Sequence, residues 1–178
     1  MVTIDLITGF LGSGKTTFLK KYAEYLMNQG LHIGILENDF GAINVDMLML
    51  HELRGDQCEL EMIAGGCDAE SHRRRFRTKL ISMRMCGYDR VLVEPSGIYD
   101  VDEFFDVLRE EPLDQWYEIG NVITILDARL EDNLSEQADY LLASEAANAG
   151  KVILSHADAA TREQCEDTVA HLNRALEQ

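Results

Sequence analysis

The chain has 178 residues, enough for one domain with a full core and too few for two comfortable ones. Its 32 Asp and Glu against 16 Lys and Arg give a formal charge of -16, which would repel nucleic-acid phosphates and anionic membranes, so neither is an expected partner. No apolar run approaches the roughly 18 residues of a membrane span and no charged leader precedes the first strand, which points to the cytoplasm.

Ile4 to Ile7 reads as a short buried strand, and Phe18, Leu19, Tyr22, Tyr25 and Leu26 follow at helical spacing. Between them Gly9 to Thr17 matches G-x-x-x-x-G-K-[ST] without a gap, in the strand–loop–helix context that this phosphate-binding motif requires. Glycines at 9, 12 and 14 allow a tight turn whose N–H groups, with those of Ser13 and Thr17, face phosphate oxygens, while the helix brings its positive end to the same anion. Lys15 is expected on the β- and γ-phosphates, and the Thr16 hydroxyl on a bound Mg²⁺. A glycine-rich turn that merely contains a lysine is the plainer alternative.

Gly30 ends the helix, and His32 to Glu37 forms a second strand that opens into an acidic loop, Asn38 to Asp46. Strand ends face the ligand crevice of an open α/β sheet, so Asp39 and Asp46 are candidates to hold Mg²⁺ or orient water; Asp46 could instead cap a short helix over 47–50. Cys58 to Ile63 alternates as a strand. Residues 64–70 break the pattern before a helix running to about Met85, which holds Arg73, Arg74, Arg75, Arg77, Lys79 and Arg84, six of the 16 basic residues. That helix reads as a solvated face answering an acidic protein, or as a docking surface or source of an arginine for the phosphates of a dimer partner.

Arg90 to Glu94 is a buried strand ending in a carboxylate at the place of a Mg²⁺-side or water-orienting group, and Gly97 could offer its N–H to the γ-phosphate. A short helix follows over 102–108, Trp116 lies in a connection packed over the core, and Asn121 to Asp127 is a further strand. Ser135 caps a helix to Ala149, Lys151 to Ser155 is the last strand, and Thr161 with Gln164 forms a capping box. Strands and helices alternate throughout, which calls for an α/β fold: a mostly parallel sheet, right-handed crossovers and helices on both faces. Cys58, Cys67, Cys86 and Cys165 contain no C-x-x-C pair, which argues against a disulfide framework or a four-cysteine zinc site and predicts reduced, mostly buried thiols.

Four stretches together resemble the CobW-type branch of the SIMIBI GTPases, relatives of UreG and HypB. They are the phosphate loop, Asn38 to Asp46 for the family's N-E-F-G-x-x-x-x-D switch, Glu94 to Gly97 for its E-x-x-G, and Ser155 to Asp158 for its N-K-x-D. The resemblance implies GTP binding with Mg²⁺, slow hydrolysis stimulated by a dimer or partner contact, and delivery of a metal or cofactor to a client. It also implies that residues 1–178 are the GTPase domain, without the family's closing strand and C-terminal domain. Lys15, Asp39 and Glu94 then carry the chemistry, with Asp158 reading guanine beside Ser155. The family's G-C-x-C-C motif falls on Gly66 to Glu70, so Cys67 keeps one thiolate, with Asp68, Glu70 and His72 as the nearest further ligands for Zn²⁺, Co²⁺ or Ni²⁺. The rival expectation is a nucleotide-gated binding module without turnover and with a degenerate metal site.

Overall fold

The computed structural model describes residues 1–10, 12–39, 45–64, 68–95, 101–130 and 134–177. In chain order the elements are β1 (Val2–Thr8), α1 (Lys15–Met27), β2 (Ile33–Asp39), α2 (Val45–Leu50), a 3-10 turn (His51–Leu53), β3 (Cys58–Ala64) and α3 (Ala69–Arg84). Then come β4 (Arg90–Glu94), α4 (Val101–Leu108), α5 (Leu113–Trp116), β5 (Tyr117–Asp127), α6 (Glu136–Ala147), β6 (Lys151–Ser155) and α7 (Arg162–Leu176). The six strands form one sheet in the order β3-β2-β4-β1-β5-β6, with every pairing parallel. Parallel neighbours must be joined through crossovers, and the crossover helices cover both faces.

On one face α3, α4 and α5 bury Phe76, Leu80, Phe104 and Leu113 against Leu6, Leu36 and Val93. On the other, α1 buries Leu19, Ala23 and Leu26 against Ile7, Ile35 and Leu92. A strand covered on both sides needs apolar side chains at consecutive positions, which is why 91–93 reads as an unbroken run. A third cluster, Leu126, Leu142, Ala146 and Leu172, holds α6 and α7 to the end of β5.

The expected caps form: Ser135 accepts from the Ala138 N–H at 3.2 Å, and Thr161 and Gln164 make a reciprocal capping box. Five expectations need correction. Strand β2 runs through Asp39, because Asn38 and Asp39 pair in register with Ile63 and Ala64 of β3. Asp46 lies inside α2, which starts at Val45, so it is not the capping residue. Strand β5 starts at Tyr117, where its polar, exposed first half hid it, and Trp116 ends a short helix instead of a loop. Of the described cysteines only Cys58 is buried; Cys86 is exposed and Cys165 half-buried. The basic face of α3 answers nearby acidic groups: Arg73 and Arg77 meet Glu110 at 3.1 and 3.0 Å, and Lys79 meets Glu61 at 2.8 Å.

The early start of β5 depends on Asp5. Ile4 pairs with Ile119 but Leu6 with Val122, so Asp5 stands opposite two residues, a bulge. Its buried carboxylate accepts from the Asn121 N–H at 2.6 Å and the Tyr22 hydroxyl at 2.8 Å, with Arg90 Nε 3.5 Å away. Gly120 is required beside it, since a Cβ there would lie 2.2 Å from Asp5 Oδ1. Burial pushes the carboxyl above its ordinary range, and the Asn121 N–H, Tyr22 and Arg90 pull it back in that order. Asp5→Ala leaves three donors without their acceptor inside the sheet and should lower stability by about 3 kcal/mol in urea unfolding. A loss under about 1 kcal/mol would mean that the network does not hold the bulge.

Candidate nucleotide site

The loop after β1 bends through Gly9 (φ 137°), Gly12 (φ 79°) and Gly14 (φ 89°). At Gly9 the glycine is obligatory twice over, because a Cβ would also lie 2.2 Å from the Ile125 carbonyl oxygen of β5. Gly14 is the N-cap of α1, which begins with no side-chain cap and no acidic residue in its first turn. Its first N–H groups and the helix dipole both favour an anion there.

Lys15 is not the surface charge that its place in the motif suggests. It is buried, and its ammonium donates to the Gly9 carbonyl at 2.6 Å and the Phe10 carbonyl at 3.2 Å, folded back over the loop. The Thr16 hydroxyl donates to Glu94 Oε1 at 3.3 Å, joining the loop to the tip of β4. Gly12, Gly14, Lys15, Thr16, Thr17, Met49, Glu94 and His156 line a cavity of about 260 Å³. Ser13 is buried behind it.

Glu37 was missed by motif reading. It pairs in register with Glu94 across β2 and β4, so two buried carboxylates stand side by side at the carboxyl ends of the strands. A charged residue closing an apolar strand at the crevice was the signal that could have found it. Thr16, Glu94 and Glu37 offer hard oxygen donors, the set that Mg²⁺ takes. Asp39 closes β2, but its side chain, like Cys67 and Gly97, lies outside the described residues.

The stretch after β6 docks onto the phosphate loop through Ser155. The Ser155 hydroxyl donates to the Ser13 carbonyl and to that of Leu126 at 3.3 Å. His156 adopts a left-handed conformation (φ 53°) and meets Asp127 at 2.9 Å, where Arg129 also binds at 3.2 Å. Burial would raise the Asp127 carboxyl, yet Arg129 and His156 together hold it below its ordinary range. Asp158 is exposed, two residues beyond the cavity-lining His156, and its charge reaches Arg129.

The neighbours expected to help Cys67 with a metal are engaged elsewhere. Asp68 caps α3, accepting from the Ser71 N–H and hydroxyl, both at 2.8 Å, which hold its carboxyl below the ordinary range. Glu70 pairs with Arg74 at 3.3 Å, and His72 is buried against Glu103 at 3.2 Å. Among the described residues no cluster of three or more His, Cys, Asp or Glu could hold a metal.

The chain is 28% identical over 186 residues to the zinc chaperone YjiA of Escherichia coli, spanning 97% of this chain and 55% of that one. It is 24% identical over 166 residues to zinc-regulated GTPase metalloprotein activator 1 of Schizosaccharomyces pombe, spanning 88% of this chain and 37% of that one. The chain thus covers about half or less of these relatives' length. Among solved structures, Zn(II)-bound YjiA GTPase from E. coli superposes with a TM-score of 0.59 at 21% identity, over 96% of this chain and 54% of that one. The hydrogenase maturation factor HypB of Archaeoglobus fulgidus gives 0.56 at 19% identity, over 98% and 76%. These likenesses show the P-loop GTPase fold. With the phosphate loop, the parallel sheet and a match of residues 3–178 to its nucleotide-binding domain, the chain belongs to the CobW/HypB/UreG family.

Proposed function

We propose that this chain binds and hydrolyses GTP and uses the change of phosphate state to deliver a metal or to activate a metalloprotein. One observation carries the reading: Gly14, Lys15 and Thr16 open α1 toward a cavity that ends on the buried carboxylate of Glu94. The names of the relatives supply the direction, since two are a zinc chaperone and a metalloprotein activator.

In this reading Lys15 exchanges the Gly9 and Phe10 carbonyls for the β- and γ-phosphates, so a cation already desolvated by the loop meets the anion at little reorganisation cost. The loop and α1 N–H groups orient the phosphates. Thr16, Glu94 and Glu37 would hold Mg²⁺, which supplies charge neutralisation on the phosphates. Glu94 or Asp39 orients the attacking water, Gly97 donates to the γ-phosphate, and Asp158 accepts the two guanine N–H groups. Segments 38–46 and 64–70 adjoin β2, β3 and α3 and carry the phosphate state to a client, or to a second copy across a homodimer. Cys67 with Zn²⁺, Co²⁺ or Ni²⁺ is a transient cargo site. The cytoplasm is its place of action.

A second reading, a nucleotide-gated regulator with a degenerate metal site, is favoured by the engagement of Asp68, Glu70 and His72 with other partners.

Lys15→Ala should remove tight GTP binding, measured by calorimetry with Mg²⁺, while shifting the melting temperature little, because only two hydrogen bonds to loop carbonyls are lost. Unchanged affinity would end the phosphate-loop reading. Asp158→Ala should bring GTP and ATP to nearly equal affinity in competition; an unaltered GTP preference would show that this stretch does not read the base. Titration with Zn²⁺, Co²⁺ and Ni²⁺ should give binding that is weak, strengthened by GTP and lost in Cys67→Ala. Tight binding that survives the substitution removes Cys67 from the account, and no binding under any condition favours the regulator.

A further inference from the structure

We propose that the hollow between α3 and the edge strand β3 docks a short acidic segment of a partner protein: Met62 and Ile63 take one large apolar side chain, and Arg74, Arg75 and Lys79 take the carboxylates beside it. The inference names what a client presents, and rests on the reading of the chain as one that acts on a client.

Helix α3 carries its basic residues on either side of a buried stripe. Phe76, Leu80 and Met83 face the sheet. Toward the connection between α4 and α5, Arg73 and Arg77 share the single carboxylate of Glu110. On the other side Arg74, Arg75 and Lys79 line a cavity of about 380 Å³, and no acidic residue stands among its described lining residues. In a chain with twice as many acidic as basic residues, three cations around one hollow with no carboxylate set among them reverse the charge locally.

The remaining lining is apolar in what it offers. Met62, 39% exposed, and the buried Ile63 close the hollow on the β3 side. The two hydroxyls are turned to their own helix: Thr78 donates to the Arg74 carbonyl and Ser82 to that of Lys79, both at 2.8 Å. Their hydrogens are therefore spent, and recognition falls to the three cations and the apolar surface between them. Strand β3 is the last in the sheet, with β2 its one strand partner among the described residues, so the hollow opens along an edge where an extended chain can lie.

A partner's carboxylates meet little competition. Arg74 pairs with Glu70 at 3.3 Å with the two side chains 77% and 83% exposed, and Lys79 pairs with Glu61 at 2.8 Å, each about 30% exposed. Ion pairs in contact with solvent contribute little and are readily exchanged. The negative charge of the rest of the chain is screened beyond about 8 Å at physiological salt, so the adjacent cations decide what binds. A short acidic segment satisfies them, whereas a broad anionic surface would also meet the acidic remainder of the chain.

The test is fluorescence anisotropy with a labelled peptide in which one leucine is flanked on each side by two aspartates. It should bind, and asparagine for every aspartate, or glycine for the leucine, should each weaken binding about tenfold. Thr78→Trp, which fills the hollow from an exposed helix position, should do the same, as should Arg74→Gln combined with Lys79→Gln. Arg162→Gln, which removes an exposed cation on α7, should change nothing. GTP affinity should stay at the wild-type value in all of these variants. Equal affinity for the aspartate and asparagine peptides, no binding of either, or full binding by the double variant overturns the groove and leaves the nucleotide site standing. Binding that obeys the groove variants but is identical with GDP and with a non-hydrolysable GTP analogue keeps the groove and overturns nucleotide-driven action on a client.

Discussion

The passage of the Gly9 backbone across the tip of β5 is the contact on which the site depends. A side chain there would collide with the Ile125 carbonyl oxygen at 2.2 Å, and only a glycine can hold φ 137° without strain. That close approach turns the chain sharply after β1, so that α1 starts directly over the sheet edge with Lys15 and Thr16 in its first turn. It also presses the loop against β5 and the end of β6, where its polar groups must find partners. Lys15 and Ser155 supply them for Gly9, Phe10 and Ser13.

Buried charge is the second theme. Asp5, Glu37, Glu94 and Glu145 are all within a few percent of full burial, in a chain already carrying a formal charge of -16. Asp5 is answered by donors from three elements and serves the fold. Glu37 and Glu94 stand in register near the carboxyl ends of β2 and β4. Position separates the roles: Asp5 in mid-strand braces a bulge, and Glu94 at a strand end lines the cavity beside the phosphate loop.

The residues that the resemblance sets beside Cys67 as further ligands hold other bonds. Asp68 has become the cap of α3, and His72 is fastened to Glu103 of α4. A side chain that terminates a helix is held in one rotamer by its own backbone and gains that stability only by staying there. Any metal at Cys67 must compete with these bonds, which is the physical reason for expecting a transient site.

The phosphate loop, the α/β class, the helix caps at Ser135 and Thr161 and the carboxylate at Glu94 were legible in the sequence, because each is a local rule: glycine for backbone conformation, a short polar side chain for a cap, an apolar run for a doubly covered strand. Pairing partners are not local. The extension of β2 through Asp39 and the start of β5 at Tyr117 are decided by register with β3 and β1. The meeting of Glu37 with Glu94 joins residues 57 positions apart (94 − 37). Residue type and spacing determined that α1 would open on a glycine-rich loop with Lys15 and Thr16 in its first turn. Only the packing of strands and helices decided which carboxyls face it, because burial and proximity set their charge and neither is written in any single stretch of chain.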